Sequence, residues 1–100
     1  MSEQTVSVGL IGAGRIGRIH AENLATRMPT ARLVSVADVV LQSAQEVGAQ
    51  FGVPKIVEDY REILNDPEIH AVAIGSSTDT HAQIIQEAAS AGKHIFCEKP

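Results

Sequence analysis

Aromatic residues are nearly absent: the 100 residues hold no Trp, one Tyr (Tyr60) and two Phe (Phe51 and Phe96). The core must therefore be aliphatic, and an aromatic platform on which single-stranded nucleic acid could stack is excluded. Cysteine is reduced to Cys97, so no intrachain disulfide and no cysteine metal cluster can form, which suits a reducing, cytoplasmic setting. Positive charge is also short, with eight Lys and Arg against twelve Asp and Glu and a net charge of −4. The cations are scattered from Arg15 to Lys99 without a stripe, so no phosphate-backbone footprint exists and nucleic acid is not an expected partner. No apolar stretch approaches the roughly 18 residues of a membrane helix. The opening Met1-Ser2-Glu3-Gln4 lacks the positive n-region of a secretory signal. No linker, charge block or repeat divides the chain.

What is present is regular. Hydrophobic content is 44%, enough for one globular unit, and a prior of about 150 residues per domain leaves no room for two. Short β-branched runs alternate with segments of helical period, the pattern of βαβ units and a parallel sheet. Strands are predicted at Thr5–Ile11, Ala31–Ala37, Lys55–Val57, Ile69–Ile74 and His94–Cys97. The first is nearly continuous in apolar character, as for a central strand buried on both faces. Helices are predicted from Arg15 to about Arg27, with Gly17, Ala21, Leu24 and Met28 on one face, and from Val40 to Phe51, with Val40, Ala44, Val47 and Phe51 in a stripe. A brief helix follows Asp59, and another follows Thr80, each opening on a capping-box pair (Asp59 with Glu62, Thr80 with Gln83).

Between the first strand and first helix stands Gly12-Ala13-Gly14-Arg15-Ile16-Gly17, a G-x-G-x-x-G in the strand–turn–helix setting that gives this short motif its meaning. Gly12 allows the tight turn, Gly14 lets a pyrophosphate approach the backbone, and Gly17 lets helix and strand pack closely. The helix N-terminus then offers free N–H groups to phosphate. A glycine-rich turn without ligand would give the same letters. Asp38 argues for the ligand: it ends the second strand about 20 residues beyond the glycines, where a carboxylate accepts from adenosine ribose hydroxyls. It would serve equally as N-cap of the following helix. A 2′-phosphate beside Asp38 would be repelled and Val39 and Val40 supply no cation, so NAD is favoured over NADP.

In a doubly wound sheet ligands lie beyond the carboxyl ends of the strands, so Gly75-Ser76-Ser77-Thr78-Asp79-Thr80-His81 should also face the cofactor, although helix capping would explain these hydroxyls too. His81 by itself suits first-turn packing or capping. His20 shares the Gly17/Leu24 face and reads as a half-buried, hydrogen-bonded side chain, while His70 and His94 sit at strand edges. Four histidines without acidic or cysteine partners at ligand spacing make no metal site. Glu98 and Lys99 emerge at the same carboxyl edge, where a lysine could hydrogen-bond a substrate oxygen whose charge changes during hydride transfer. A solvated charge pair is the plainer alternative.

Gly12–Gly17, Asp38, Ser76 to His81 and Cys97-Glu98-Lys99-Pro100 together resemble the N-terminal half of the glucose–fructose oxidoreductase/inositol dehydrogenase family, and the likeness spans the whole chain. It is nearest to the branch like myo-inositol 2-dehydrogenase, in which G-A-G-R-I-G-x-x-H-A-E-N-L and C-E-K-P occur as they do here. The resemblance implies a Rossmann-type doubly wound parallel sheet, an α/β fold, incomplete at its C-terminal edge. It implies that Gly12, Gly14, Arg15, Ile16 and Gly17 meet the pyrophosphate, Asp38 the ribose, Ser76, Ser77, Thr78 and His81 the cofactor edge, and Glu98 the nicotinamide side. Lys99 would be the catalytic, substrate-orienting lysine. The implied reaction moves hydride from a ring carbon bearing a hydroxyl, in a polyol or sugar, to NAD, within a homo-oligomeric, cytoplasmic parent enzyme.

The family's proton acceptor comes from a second domain, so residues 1–100 are expected to be the dinucleotide-binding unit of a longer enzyme, interrupted after Pro100. Alone they should bind NAD weakly, turn over negligibly, and self-associate through an uncovered fifth strand. Two other readings are a non-catalytic nucleotide-binding module and a methyltransferase-like nucleoside-binding sheet.

Overall fold

The computed structural model describes residues 6–26, 30–75 and 78–97. Among the described residues five strands and four helices alternate: β1 (Val6–Ile11), α1 (Arg15–Thr26), β2 (Ala31–Ala37), α2 (Leu41–Phe51), β3 (Lys55–Val57), α3 (Arg61–Leu64), β4 (Ala71–Ile74), α4 (Thr78–Ser90) and β5 (His94–Cys97). All strand pairings are parallel and the order is β3-β2-β1-β4-β5. The expected doubly wound sheet is thus present. The apolar continuity of β1 has its reason in this order, because β1 is the middle strand and its last four residues are buried. The strand order reverses between β1 and β4, so the loops after these two strands diverge and leave a crevice at their carboxyl ends.

Two aliphatic clusters cover the two faces. On one, Ala21 and Leu24 of α1 and Ala44 and Val47 of α2 pack on Val8, Leu10, Leu33 and Val36. On the other, Ile63 and Leu64 of α3 and Ile84 and Ala88 of α4 pack on Ile11, Ala37, Val72 and Ile74. The β1–β2 register slips between Val8 and Gly9, which pair with Leu33 and Ser35 and leave Val34 unmatched. This bulge is why Leu33 and Val36, an odd number of residues apart, both face the first cluster. Within β1, a Cβ on Gly9 would overlap Ile63 Cγ2, so the absent side chain is what lets the four-residue α3 lie against the sheet.

Local corrections to the sequence pattern are small. Val40 is 56% exposed and precedes α2, so the buried stripe is Ala44, Val47 and Gly48. The helix closes at Gly52 as expected, with φ 68° and its N–H bonded to Gly48 O. Helix α4 starts at Thr78, so Thr80 lies inside the first turn and is not its N-cap. Asp59 does act at the start of α3, its Oδ1 accepting from Arg61 N–H at 2.9 Å. Ile69 and His70 precede β4, but Ile69 is buried and His70 N–H donates to Ser7 O.

Candidate functional site

Four segments meet at the carboxyl edge of the sheet. After β1 the chain turns at Gly12, whose φ of 98° is open to glycine at little cost. Gly12 N–H donates to Ala37 O at 2.8 Å, tying the turn to the end of β2. A Cβ on Gly17 would overlap Gly12 O, and one on Gly75 would come within 2.7 Å of Gly17 Cα. The first turn of α1 therefore packs backbone to backbone against the loops after β1 and β4. Gly14 differs: nothing lies within 4 Å of where its Cβ would be, so the loop presents bare backbone to open space there.

Asp38 joins the second segment to the first. Its Oδ2 accepts from Ala13 N–H at 2.7 Å and its Oδ1 from Val40 N–H at 2.8 Å. The carboxylate thus fixes the glycine loop and the turn before α2, combining the loop contact with part of the capping role. The capping position itself, Val40, has no side-chain bond. Each oxygen retains capacity for a further donor.

These residues line a cavity of about 380 Å³, within the usual span for a small-ligand site. Gly12, Gly14, Asp38 and Gly75 are among its walls, as expected of residues at this edge. Arg15 and Ile16 follow directly on Gly14 as exposed residues of the first turn of α1. Thr78 and His81 fall in the first turn of α4, their side chains outside the described set. Ser76, Ser77, Glu98 and Lys99 lie outside the described residues altogether. His20 is half-buried on α1. Among the described residues no group of three or more His, Cys, Asp or Glu could hold a metal, and no helix is long and apolar enough to cross a membrane.

The sequence pattern missed the opposite wall, where Glu58, Tyr60, Arg61 and Gln83 also line the cavity. The position of Glu58, Tyr60 and Arg61 after β3, and of Gln83 in the helix after β4, was the available signal, since the same carboxyl-edge rule applies to every strand. Glu87 organises this wall. Its Oε2 accepts from Tyr60 OH at 2.7 Å and Gln83 Nε2 at 2.9 Å, and its Oε1 from Arg61 Nε at 3.2 Å. The Tyr60 hydrogen bond, then those of Gln83 and the charge of Arg61, hold the Glu87 carboxyl below its ordinary range. Burial, and then Glu87, push the Tyr60 phenol up, and Glu87 raises Arg61 further.

Bare backbone at Gly14, a carboxylate with acceptor capacity in reserve, and a cavity with apolar Ile11, Val39 and Ile84 in its walls suit the phosphate, ribose and base of an adenosine half.

Residues 6–100 match the model of the oxidoreductase family with NAD-binding Rossmann fold. Among curated relatives, the chain is 45% identical over 98 residues to scyllo-inositol 2-dehydrogenase (NAD(+)) of Bacillus subtilis, covering 98% of this chain and 29% of the relative. It is 44% identical over 93 residues to myo-inositol 2-dehydrogenase of Thermotoga maritima, covering 93% of this chain and 28% of the relative. The solved structure of scyllo-inositol dehydrogenase from Lactobacillus casei with bound NAD(H) and scyllo-inositol superposes with a TM-score of 0.89 at 38% identity, over 97% of this chain and 28% of that one. The chain thus spans less than a third of the length of these relatives.

Proposed function

Because the chain belongs to the Gfo/Idh/MocA oxidoreductase family through its NAD-binding Rossmann fold, we propose that it is the NAD-binding portion of a dehydrogenase that oxidises a ring hydroxyl of a polyol or sugar, of the inositol 2-dehydrogenase type. The single observation that carries the cofactor reading is Asp38, anchored to the glycine loop through Ala13 N–H while lining the cavity. The substrate class is supported by the inositol dehydrogenases among the relatives. In this reading Gly12, Gly14 and Gly17, with Arg15 and Ile16, hold the pyrophosphate on the first turn of α1. Asp38 accepts from the ribose hydroxyls, and Ser76, Ser77, Thr78 and His81 border the cofactor. Glu98 stands at its nicotinamide side. Lys99 orients the substrate oxygen and stabilises its changing charge. NAD, when bound, supplies the hydride acceptor. Residues 1–100 form the dinucleotide-binding unit, and the proton acceptor belongs to residues outside them. The parent enzyme is taken to be a cytoplasmic homo-oligomer.

The test is a parallel titration of the full-length protein with NAD, NADP and S-adenosylmethionine. NAD is expected to bind best, and Asp38→Ala to weaken it about tenfold or more, the scale of a lost charge-assisted hydrogen bond. Replacing Asp38 with Ser and Val39 with Arg should move preference toward NADP. Preferential binding of S-adenosylmethionine, or discrimination indifferent to residue 38, would defeat the assignment.

A further inference from the structure

Arg61 is the one Lys or Arg among the described residues that line the cavity, and it shares those walls with Asp38 and Glu58. A guanidinium so placed is the group that would attract a phosphate on the adenosine ribose, because its planar fork matches phosphate oxygens. Here it is already engaged. Its Nε donates to Glu87 Oε1 at 3.2 Å, its second carboxylate neighbour Asp59 lies 3.8 Å away, and its guanidinium carbon sits 5.0 Å from the centre of the Tyr60 ring. Glu87 is in turn gripped by Tyr60 OH at 2.7 Å and Gln83 Nε2 at 2.9 Å, so it is fixed from the residue that caps α3 and from its own helix at once.

Resting on the NAD reading above, we propose that Glu87 is a specificity-determining residue: it keeps Arg61 paired and so withholds the cavity's cation from a ribose 2′-phosphate. Asp38 excludes that phosphate by repulsion, whereas Glu87 acts one layer back by removing its counter-charge. The two devices sit in different places, the turn after β2 and helix α4, and can vary independently. The Tyr60 hydrogen bond keeps the Glu87 carboxyl below its ordinary range, so the pairing charge is in place at neutral pH.

The experiment measures dissociation constants for NAD and NADP on the full-length protein at low ionic strength, with the unfolding temperature of each variant recorded alongside. Glu87→Gln keeps the shape and removes the charge: its amide oxygen can still accept from Arg61 Nε, while its NH2 group would donate to the Tyr60 hydroxyl oxygen instead of accepting from it. It is expected to tighten NADP about fivefold while NAD stays within about twofold, as for one unpaired charge in a solvated cleft. Adding Arg61→Gln should erase the gain, and so should high salt. Asp59→Asn, which leaves Glu87 intact, should move the NADP/NAD ratio the same way by less. A ratio unmoved in both single variants overturns the proposal, as does a gain that survives Arg61→Gln. A wild-type protein that does not bind NAD overturns the underlying reading and this proposal with it. NAD binding with an unmoved ratio overturns this proposal alone.

Discussion

Asp38 holds two backbone N–H groups from different loops, and a residue so used has a structural duty as well as a proposed ligand. Asp38→Asn is therefore expected to lose NAD affinity and also to loosen the glycine loop, seen as faster amide exchange at Ala13. Gly17 is less forgiving. Any Cβ there meets Gly12 O, a backbone atom that cannot swing aside, so Gly17→Ala should cost about 1–3 kcal/mol and impair NAD binding together. Ser35 presents the opposite case: it is fully buried in β2, and its Oγ has no hydrogen-bond partner among the described residues. Ser35→Ala should raise stability by about 1 kcal/mol, or an unfolding temperature gain of roughly 4–8 °C for a domain of this size. A fall in that temperature would show that the hydroxyl is satisfied in solution.

At the scale of elements, α3 is too short to be stable alone and depends on what it touches. Gly9→Ala should destabilise it through the Ile63 Cγ2 methyl, and the loss should be smaller in an Ile63→Ala background, which lacks that methyl, a coupling readable by a double-mutant cycle on unfolding free energies. Its link to α4 is electrostatic. Glu87 is held below its ordinary range chiefly by the Tyr60 hydrogen bond. Asp66, in the loop after α3, is lowered chiefly by the Glu68 backbone N–H, with Lys55 adding to it. A carboxyl depressed in the folded state contributes stability that is full above its unfolded-state value, about 4. That contribution is lost as pH falls through the lower folded-state value. Unfolding temperature should therefore drop on acidification below about pH 4, and drop less in Glu87→Gln and Asp66→Asn. The elements themselves were largely legible in the sequence, because apolar period and terminal glycines act locally: Gly52 closes α2 where the pattern placed it. The bulge at Val34 and the seat of Ile63 on Gly9 were not legible, since each depends on which strands become neighbours. The same applies to the site. Gly12, Gly14 and Asp38 follow a motif within one βαβ unit, whereas Tyr60, Arg61 and Glu87 meet only after α3 and α4 share a face.

For the whole molecule, the parallel sheet puts every strand's carboxyl end on one side, so a cavity there draws on segments from Ile11 to Ile84. A polypeptide of residues 1–100 alone is expected to yield negligible NADH from inositol, because the proposed proton acceptor is not within it. Robust NADH production by that polypeptide would place the whole reaction on these residues. Full-length Lys99→Ala should keep its fold and lose roughly 100-fold or more in kcat. The strand order also sets a timetable. β1 is the earliest of the five to be synthesised and stands in the middle, between β2 and β4. Its second edge waits for Ala71–Ile74, roughly 60 residues later, or roughly 3–12 s at cellular elongation rates. For that interval the central strand of the sheet has one edge unpaired on the ribosome, so the rate at which residues 12–70 are translated governs how long it must be kept from other chains.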